Sequence, residues 1–348
     1  MNRLITLLAL LLLSNTFILA QEETTEEEGT PFEITGFVDV YAQYNLNGAA
    51  LGTTSFTGEH NSFSLGMAKL GLSKEVGKVA FGVDLGFGPR ADDANGFAGT
   101  SFGPVQQLYV AYSPTDKITL TAGNFGTHVG YEIIDANGNF HYSTSYMFSY
   151  GPFYHTGLKA DFALTENIGA MIGIFNDTDN KFDVVDGKHI GAQLSYSGDI
   201  GDIYLNYLGG TDGIDSSSFN QIDLTASFPI SEKFSLGVNA TARPSTDERD
   251  GGSDASWFGA ALYLGFEAKE NLSFGVRGEY LGDADGYIFG VQDMSVIDLT
   301  ASANIVIDAL TIIPEFRIDI FSEDFTLDAD GNATNISPTF ILAAYYSF

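Results

Sequence analysis

From Pro31 to Phe348, apolar and polar side chains alternate with a period of two, the spacing that sends successive residues to opposite faces of a β-strand. Ile34, Gly36, Val38, Val40 and Ala42 alternate with Thr35, Phe37, Asp39, Tyr41 and Gln43. Phe234, Leu236, Val238, Ala240 and Ala242 alternate with Ser235, Gly237, Asn239, Thr241 and Arg243. Near the end, Phe340, Leu342, Ala344, Tyr346 and Phe348 alternate with Thr339, Ile341, Ala343, Tyr345 and Ser347. No amphipathic helical stretch competes. The pattern predicts about sixteen strands, near residues 33–45, 62–73, 78–88, 105–113, 117–125, 155–164, 168–177, 187–197, 201–209, 219–229, 233–243, 256–267, 271–281, 293–304, 309–321 and 337–348. Each is about as long as the roughly 9–11 residues a tilted strand needs to cross a bilayer. The alternation slips once. Phe63, Leu65 and Met67 share one face while Leu70 and Leu72 share the other, which predicts a bulge near Ala68 and Lys69 and leaves Lys69 unassigned to a face.

The connections alternate short and long. Tight polar turns at Lys74–Gly77, Pro114–Asp116, Thr165–Asn167, Gly198–Ile200, Ile230–Glu232 and Ala268–Glu270 are interleaved with long connections, the longest running from Gly126 to Tyr154. One tight side and one loose side is the plan of an outer-membrane barrel, with short periplasmic turns and long external loops. The fold class expected is therefore all-β, a transmembrane antiparallel barrel of about sixteen strands occupying 31–348 as one domain.

The first thirty residues do not share the pattern. Arg3 precedes an apolar run from Leu4 to Leu13 and a small residue, Ala20, follows, the layout of a signal peptide over 1–20. Residues 21–30, QEETTEEEGT, carry five Glu and no apolar surface to bury, which predicts a disordered acidic leader. A secreted chain with no later apolar helix favours a barrel in the outer membrane of a Gram-negative cell over a soluble sandwich. Aromatic residues near strand ends point the same way: Tyr41, Tyr44, Tyr109, Tyr112, Tyr204, Tyr207, Tyr280, Tyr345 and Tyr346 are expected to form interfacial girdles. So does the aromatic end of the final strand, Phe348, which resembles the recognition signal of outer-membrane proteins.

Composition changes the picture in three ways. Charged residues are only 17% of the chain, and 45 acidic residues oppose 15 basic ones, which excludes nucleic acid as a partner because binding it needs a basic footprint. The absence of cysteine excludes disulfides, thiolate catalysis and cysteine-ligated metal. The inward phase carries nine acids, Asp39, Asp84, Asp161, Asp202, Asp223, Glu279, Asp298, Glu315 and Asp319, against four bases, Lys159, Arg243, Arg277 and Arg317. A lumen lined this way predicts cation preference, weakened by changing Asp39, Asp84 and Asp161 together to Asn.

The connection over 126–154 is too aromatic and too poor in charge to be disordered. Folded into the barrel, it would narrow the lumen and bring Glu132, Asp135, His141, Tyr142 and Tyr146 to the permeant. The stretch from Ala122 to Asp161 resembles a known family, the OmpL-like beta-barrel porins of Bacteroidota-type outer membranes. The resemblance lies in the Gly123-Asn124-Phe125 strand end, Glu132 before the Asn-rich segment, the His141–Tyr146 run HYSTSY, and Pro152 with His155-Thr156-Gly157. It implies an outer-membrane porin, and the third loop of sixteen-strand porins folds inward.

The expected function is passive diffusion of small hydrophilic solutes. The alternatives are a saccharide channel in which Tyr142, Tyr146 and Tyr154 stack sugars, and a non-conducting structural or adhesive barrel. The expected partners are outer-membrane lipid and glycolipid together with those solutes, and analogy with sixteen-strand porins suggests a homotrimer. No cofactor or metal is implied: the five histidines lack metal-site spacing, there is no GxSxG elbow, and Ser149 with His155 is the one weak hydrolytic pair. The Asp-rich tips Asp283–Gly286 and Asp328–Asn332 lack the closing Glu of a calcium loop, and bridging to glycolipid through a divalent cation is the use they suggest.

Overall fold

The computed structural model describes residues 31–348 except 97, 184–186, 212–216 and 248–252; the expected signal peptide and acidic leader lie outside the described residues. Sixteen antiparallel strands close into a barrel. In chain order they are β1 (Glu33–Asn45), β2 (Ser62–Val76), β3 (Val79–Phe87), β4 (Val105–Thr115), β5 (Ile118–Gly126), β6 (Tyr154–Ala163), β7 (Ile168–Phe175) and β8 (His189–Gly198). They continue as β9 (Gly201–Thr211), β10 (Ser217–Pro229), β11 (Phe234–Arg243), β12 (Trp257–Lys269), β13 (Leu272–Asp283), β14 (Met294–Ile307), β15 (Leu310–Phe321) and β16 (Ile336–Ser347). Each pairs with its neighbours in sequence, and β16 pairs with β1 from Phe37 opposite Ser347 to Asn45 opposite Thr339, so no edge is left open. At the seam, Gly36 and Phe348 exchange both backbone hydrogen bonds, at 3.0 and 2.9 Å.

The alternation sorts the two faces. Ile34, Val38, Val40, Leu108, Val110, Ile172, Leu194, Leu205, Leu262 and Leu264 point outward and are exposed. Asp39, Gln43, Thr121, Asn124, Asn206, Asp223, Asn239 and Glu315 point inward and are buried. Apolar outside and polar inside is stable only where the surroundings are lipid and the interior is wet or self-satisfied. The protein is a transmembrane barrel.

Two expectations need correction. The bulge in β2 lies at Gly66–Met67, which together oppose Asp39, and not at Ala68–Lys69. The cause is Asp39: its carboxylate accepts the Met67 N–H at 2.6 Å and sits where a Cβ on residue 66 would be, 1.9 Å away, so only glycine fits. Past the bulge, Lys69 points inward. The aromatic girdle is also thinner than expected. Tyr44, Tyr112, Tyr280 and Tyr346 face outward, but Tyr41 is buried inside, Tyr109 packs against an interior cluster, and Tyr204 and Tyr345 line the lumen. They stand one residue out of phase with the lipid face, and period two admits no compromise.

Among the described residues two α-helices accompany the barrel, α1 (Pro89–Asn95), after β3, and α2 (Tyr146–Ser149), inside the long connection between β5 and β6, which also holds a 3-10 turn at Ala136–Gly138. Pro89 starts α1, where its missing N–H costs nothing. Ser145 caps α2 by accepting the Phe148 N–H at 3.1 Å.

Candidate functional site

The connection from β5 to β6 lies inside the barrel. Thr144, Tyr142 and Tyr146 are fully buried although they belong to a loop, because the wall reads the loop backbone group by group. Glu315 of β15 accepts the N–H of Tyr142 at 2.8 Å and of Ser143 at 3.0 Å. Glu279 of β13 accepts the N–H of Tyr146 and of Met147, both at 2.7 Å, so it also caps α2. Glu132, from the loop itself, accepts the Ser145 N–H at 2.7 Å. Arg277 donates to the Ser143 carbonyl and Arg317 to the Thr144 carbonyl, each at 2.7 Å. Six successive residues, Tyr142 to Met147, are thus fastened by charge-assisted bonds, the strong kind. Three strands further round the wall from β13, Asp223 of β10 accepts the Gly130 N–H at 3.0 Å, while the loop's own ends join β5 and β6 on the far side. The loop therefore spans the lumen.

The anchoring charges compensate one another. Arg277 pairs with Glu132 and with Asp298, both at 2.8 Å; Arg317 pairs with Asp298 at 3.2 Å and Asp319 at 2.7 Å. Lys69 joins Asp84 at 2.9 Å and Asp135 at 2.5 Å. Asp39 takes the Tyr142 hydroxyl at 2.6 Å and lies 3.6 Å from Arg90, which α1 carries inward and which donates to the Ile134 carbonyl at 3.0 Å. Carboxylates without a cation, Glu279, Glu315 and Asp223, are satisfied by N–H donors instead. This is how buried ions avoid their desolvation cost.

Shape fits the loop to the wall as well. Tyr131 lies over Gly237, where a Cβ would come 2.3 Å from its hydroxyl, and Phe140 lies over Gly275, where a Cβ would come 2.2 Å from its ring. Outside the loop, Phe56 packs on Phe148 and Phe153, and Phe289 packs on Tyr146 and Tyr150.

The loop divides the lumen. On the turn side is a chamber of about 760 Å3, bordered by Tyr131, Asn137, Phe140, Tyr204 and Tyr263. Beside the loop, a separate small cavity of about 10 Å3, room for roughly one water, lies between Gly130, Met147 and Phe148 and the wall residues Gln221, Asp223 and Asn239. A further space of about 180 Å3 lies between the loop and β4–β6.

His141 and His128 are neutral. Burial first, then the Arg277 charge, pushes His141 down to about 3, and burial pushes His128 down to about 4.

The family model described as "Putative beta-barrel porin-2, OmpL-like" matches residues 31–348. The chain belongs to this porin family. Solved structures share the fold of the porin at low identity. The anion-selective porin from Comamonas acidovorans is 13% identical, with 91% of this chain and 99% of that chain covered and a TM-score of 0.62. The outer membrane channel DcaP of Acinetobacter baumannii is 14% identical over 93% and 99%, with a TM-score of 0.61. OmpT of Vibrio cholerae, in a trimer form, is 9% identical over 91% and 99%, with a TM-score of 0.62. No curated protein matches the chain in sequence. Porins of this family and fold are typically channels rather than enzymes.

The porin's structure sorts the residues singled out from sequence. Arg277, Glu279, Asp298, Glu315, Arg317 and Asp319 come together, but under the loop, where they hold it rather than face a solute. Asp39 is equally buried, so replacing it tests the loop's seating and not selectivity. Asp223 holds Gly130, Asn206 and Asn239. Arg243 stacks over Phe219 at 4.3 Å. Asp161 and Lys159 pair at 3.2 Å with partial exposure, and Asp202, bonded to Ser197, stands near the turn end. Of the loop residues, Glu132, His141, Tyr142 and Tyr146 are buried, His141 against Ser302 at 2.7 Å, and Asp135 is held by Lys69 and Gln106. Tyr142, Tyr146 and Tyr154 present no free ring face, which corrects the expectation that they stack sugars. Ser149 and His155 bond elsewhere, to Ser145 and Thr127. Asp283 accepts the N–H groups of Tyr287, Ile288 and Phe289, and Asp328 those of Asp330 and Asn332, so both Asp-rich tips spend a carboxylate on their own backbone. Lys69 and Arg90 escaped the sequence reading. A bulge hid the phase of the first, and the second sits in a loop with no periodicity.

Proposed function

We propose that the protein is a passive channel for small hydrophilic solutes with a preference for cations, and that it assembles as a homotrimer in outer-membrane lipid. The observation that carries the channel reading is the loop held across the lumen by wall charges, beside a chamber of about 760 Å3. Such a loop sets a width limit, and charges near the openings bias which ions enter. The bias comes chiefly from the mouths, because the interior charges are consumed in holding the loop. At the loop end, Glu59, Asp92, Asp93, Asp293, Glu323, Asp324 and Asp330 are exposed; at the turn end, Glu33, Glu75, Asp116, Asp161, Glu166, Asp199, Asp202, Glu232, Glu267, Glu270 and Asp308 outnumber Lys74, Lys78, Lys117, Lys159, Lys233 and Lys269. A mouth of one sign concentrates counter-ions. The homotrimer is supported by the trimer form recorded for one structural neighbour.

The test is the reversal potential of the refolded protein in a planar bilayer under a salt gradient. Cations should be favoured, and changing Asp92, Asp93, Glu323 and Asp324 to their amides should lower that preference. A clear anion preference would overturn the charge reading. The loop's many bonds to the wall favour a second reading, a closed structural barrel, which absence of conductance would support.

A further inference from the structure

The turn-side chamber differs chemically from the rest of the interior. Among the described residues that border it, Glu132 is the only carboxylate and there is no lysine or arginine. Glu132 is already spent on Arg277 and the Ser145 N–H. His128 and His141 also border the chamber and are uncharged, for the reason given above. An ion entering here finds no net charge to meet. What remains is aromatic, amide and hydroxyl. Tyr131 stacks on the buried Tyr263 with ring centroids 4.4 Å apart and an interplanar angle of 24°, so its ring is held in place while the residue stays partly exposed at the chamber. Phe140 and Tyr204 stand around it, and the exposed Asn137 hangs at the loop's tip.

We propose that this chamber binds a neutral polyhydroxylated solute, a small saccharide, with one sugar face on the Tyr131 ring and its hydroxyls bonded to the surrounding amides and hydroxyls. The chamber's volume lies within the roughly 300–1,000 Å3 usual for small-molecule sites. A sugar supplies both halves of the match, an apolar C–H face for the ring and many hydroxyls for the polar rim. The ring is held in advance, so little order is lost on binding. This names a solute class for the channel proposed above and rests on that reading for its role in transport.

The experiment uses maltose and maltotriose as probes and alanine as a zwitterionic control, on the full refolded chain. Single-channel current and isothermal titration calorimetry are both recorded. Expected are a concentration-dependent, reversible current block and measurable binding by the sugars, with none by alanine. Tyr131→Ala should raise the half-blocking concentration about tenfold, and Tyr131→Phe should restore it, because the ring does the stacking. Tyr204→Ala serves if Tyr131→Ala fails to fold. Sugar binding by calorimetry that needs the Tyr131 ring, in a protein without conductance, would uphold the chamber and overturn the channel. Conductance with no sugar block and no heat of binding would overturn the chamber and leave the channel standing, as would equal block in Tyr131→Ala and the parent.

Discussion

Single side chains decide how the third loop is held. Glu279 accepts two buried N–H groups at 2.7 Å and has no cation of its own, so Glu279→Ala leaves two donors stranded. That substitution should cost about 3 kcal/mol in urea unfolding from liposomes and raise single-channel conductance as the loop loosens. Arg277→Met strands Glu132 and Asp298 together, and the expected loss is about 3–5 kcal/mol by the same measurement. His141 gives the acid dependence. It is neutral in the fold down to about pH 3, whereas an unfolded histidine takes up its proton near 6.5. Between those values the unfolded chain binds more protons, so stability is full above pH 6.5 and falls as the pH drops toward 3. The unfolding free energy of His141→Gln should therefore lose less on acidification than that of the parent, the difference growing by roughly 1.4 kcal/mol per pH unit in that window. Parallel pH profiles would exclude a role for this ring. None of these assignments is legible in the sequence beyond inward phase. Alternation says that Glu279 and Arg277 face in, but not that a loop residue waits for each.

Among the elements, the sixteen strands were the most legible part of the chain. Period two and turn chemistry locate every one to within three residues at each end. What escaped has a local cause. Gly66 shifts the phase of β2 for Asp39's sake, and the long connection's path depends on where Gly237 and Gly275 leave hollows. Filling one hollow is a direct test. Gly275→Val should displace Phe140, cost about 1–3 kcal/mol from overpacking, and change conductance without changing the barrel's β content by circular dichroism. Unchanged conductance would mean that Phe140's seat has no bearing on the passage.

For the whole molecule, the excess of acid over base is divided between two jobs. Wall carboxylates such as Glu315 and Asp298 are sealed beneath the loop, while those of the mouths face water. Mouth charges are screened and sealed ones are not, since the Debye length falls from about 10 Å at 0.1 M salt to about 3 Å at 1 M. Cation preference should accordingly shrink when reversal potentials are measured at the higher ionic strength. A preference that persists would return selectivity to the wall. The sequence by itself determined the barrel: strand number, direction of the lipid face, the short and long ends and the net acidity all follow from local alternation and composition. Only the tertiary structure decided what the interior charges do. Whether an inward carboxylate meets water, a cation or a backbone N–H depends on a partner more than a hundred residues away, as Glu279 and Met147 are, and periodicity carries no record of such distant pairs.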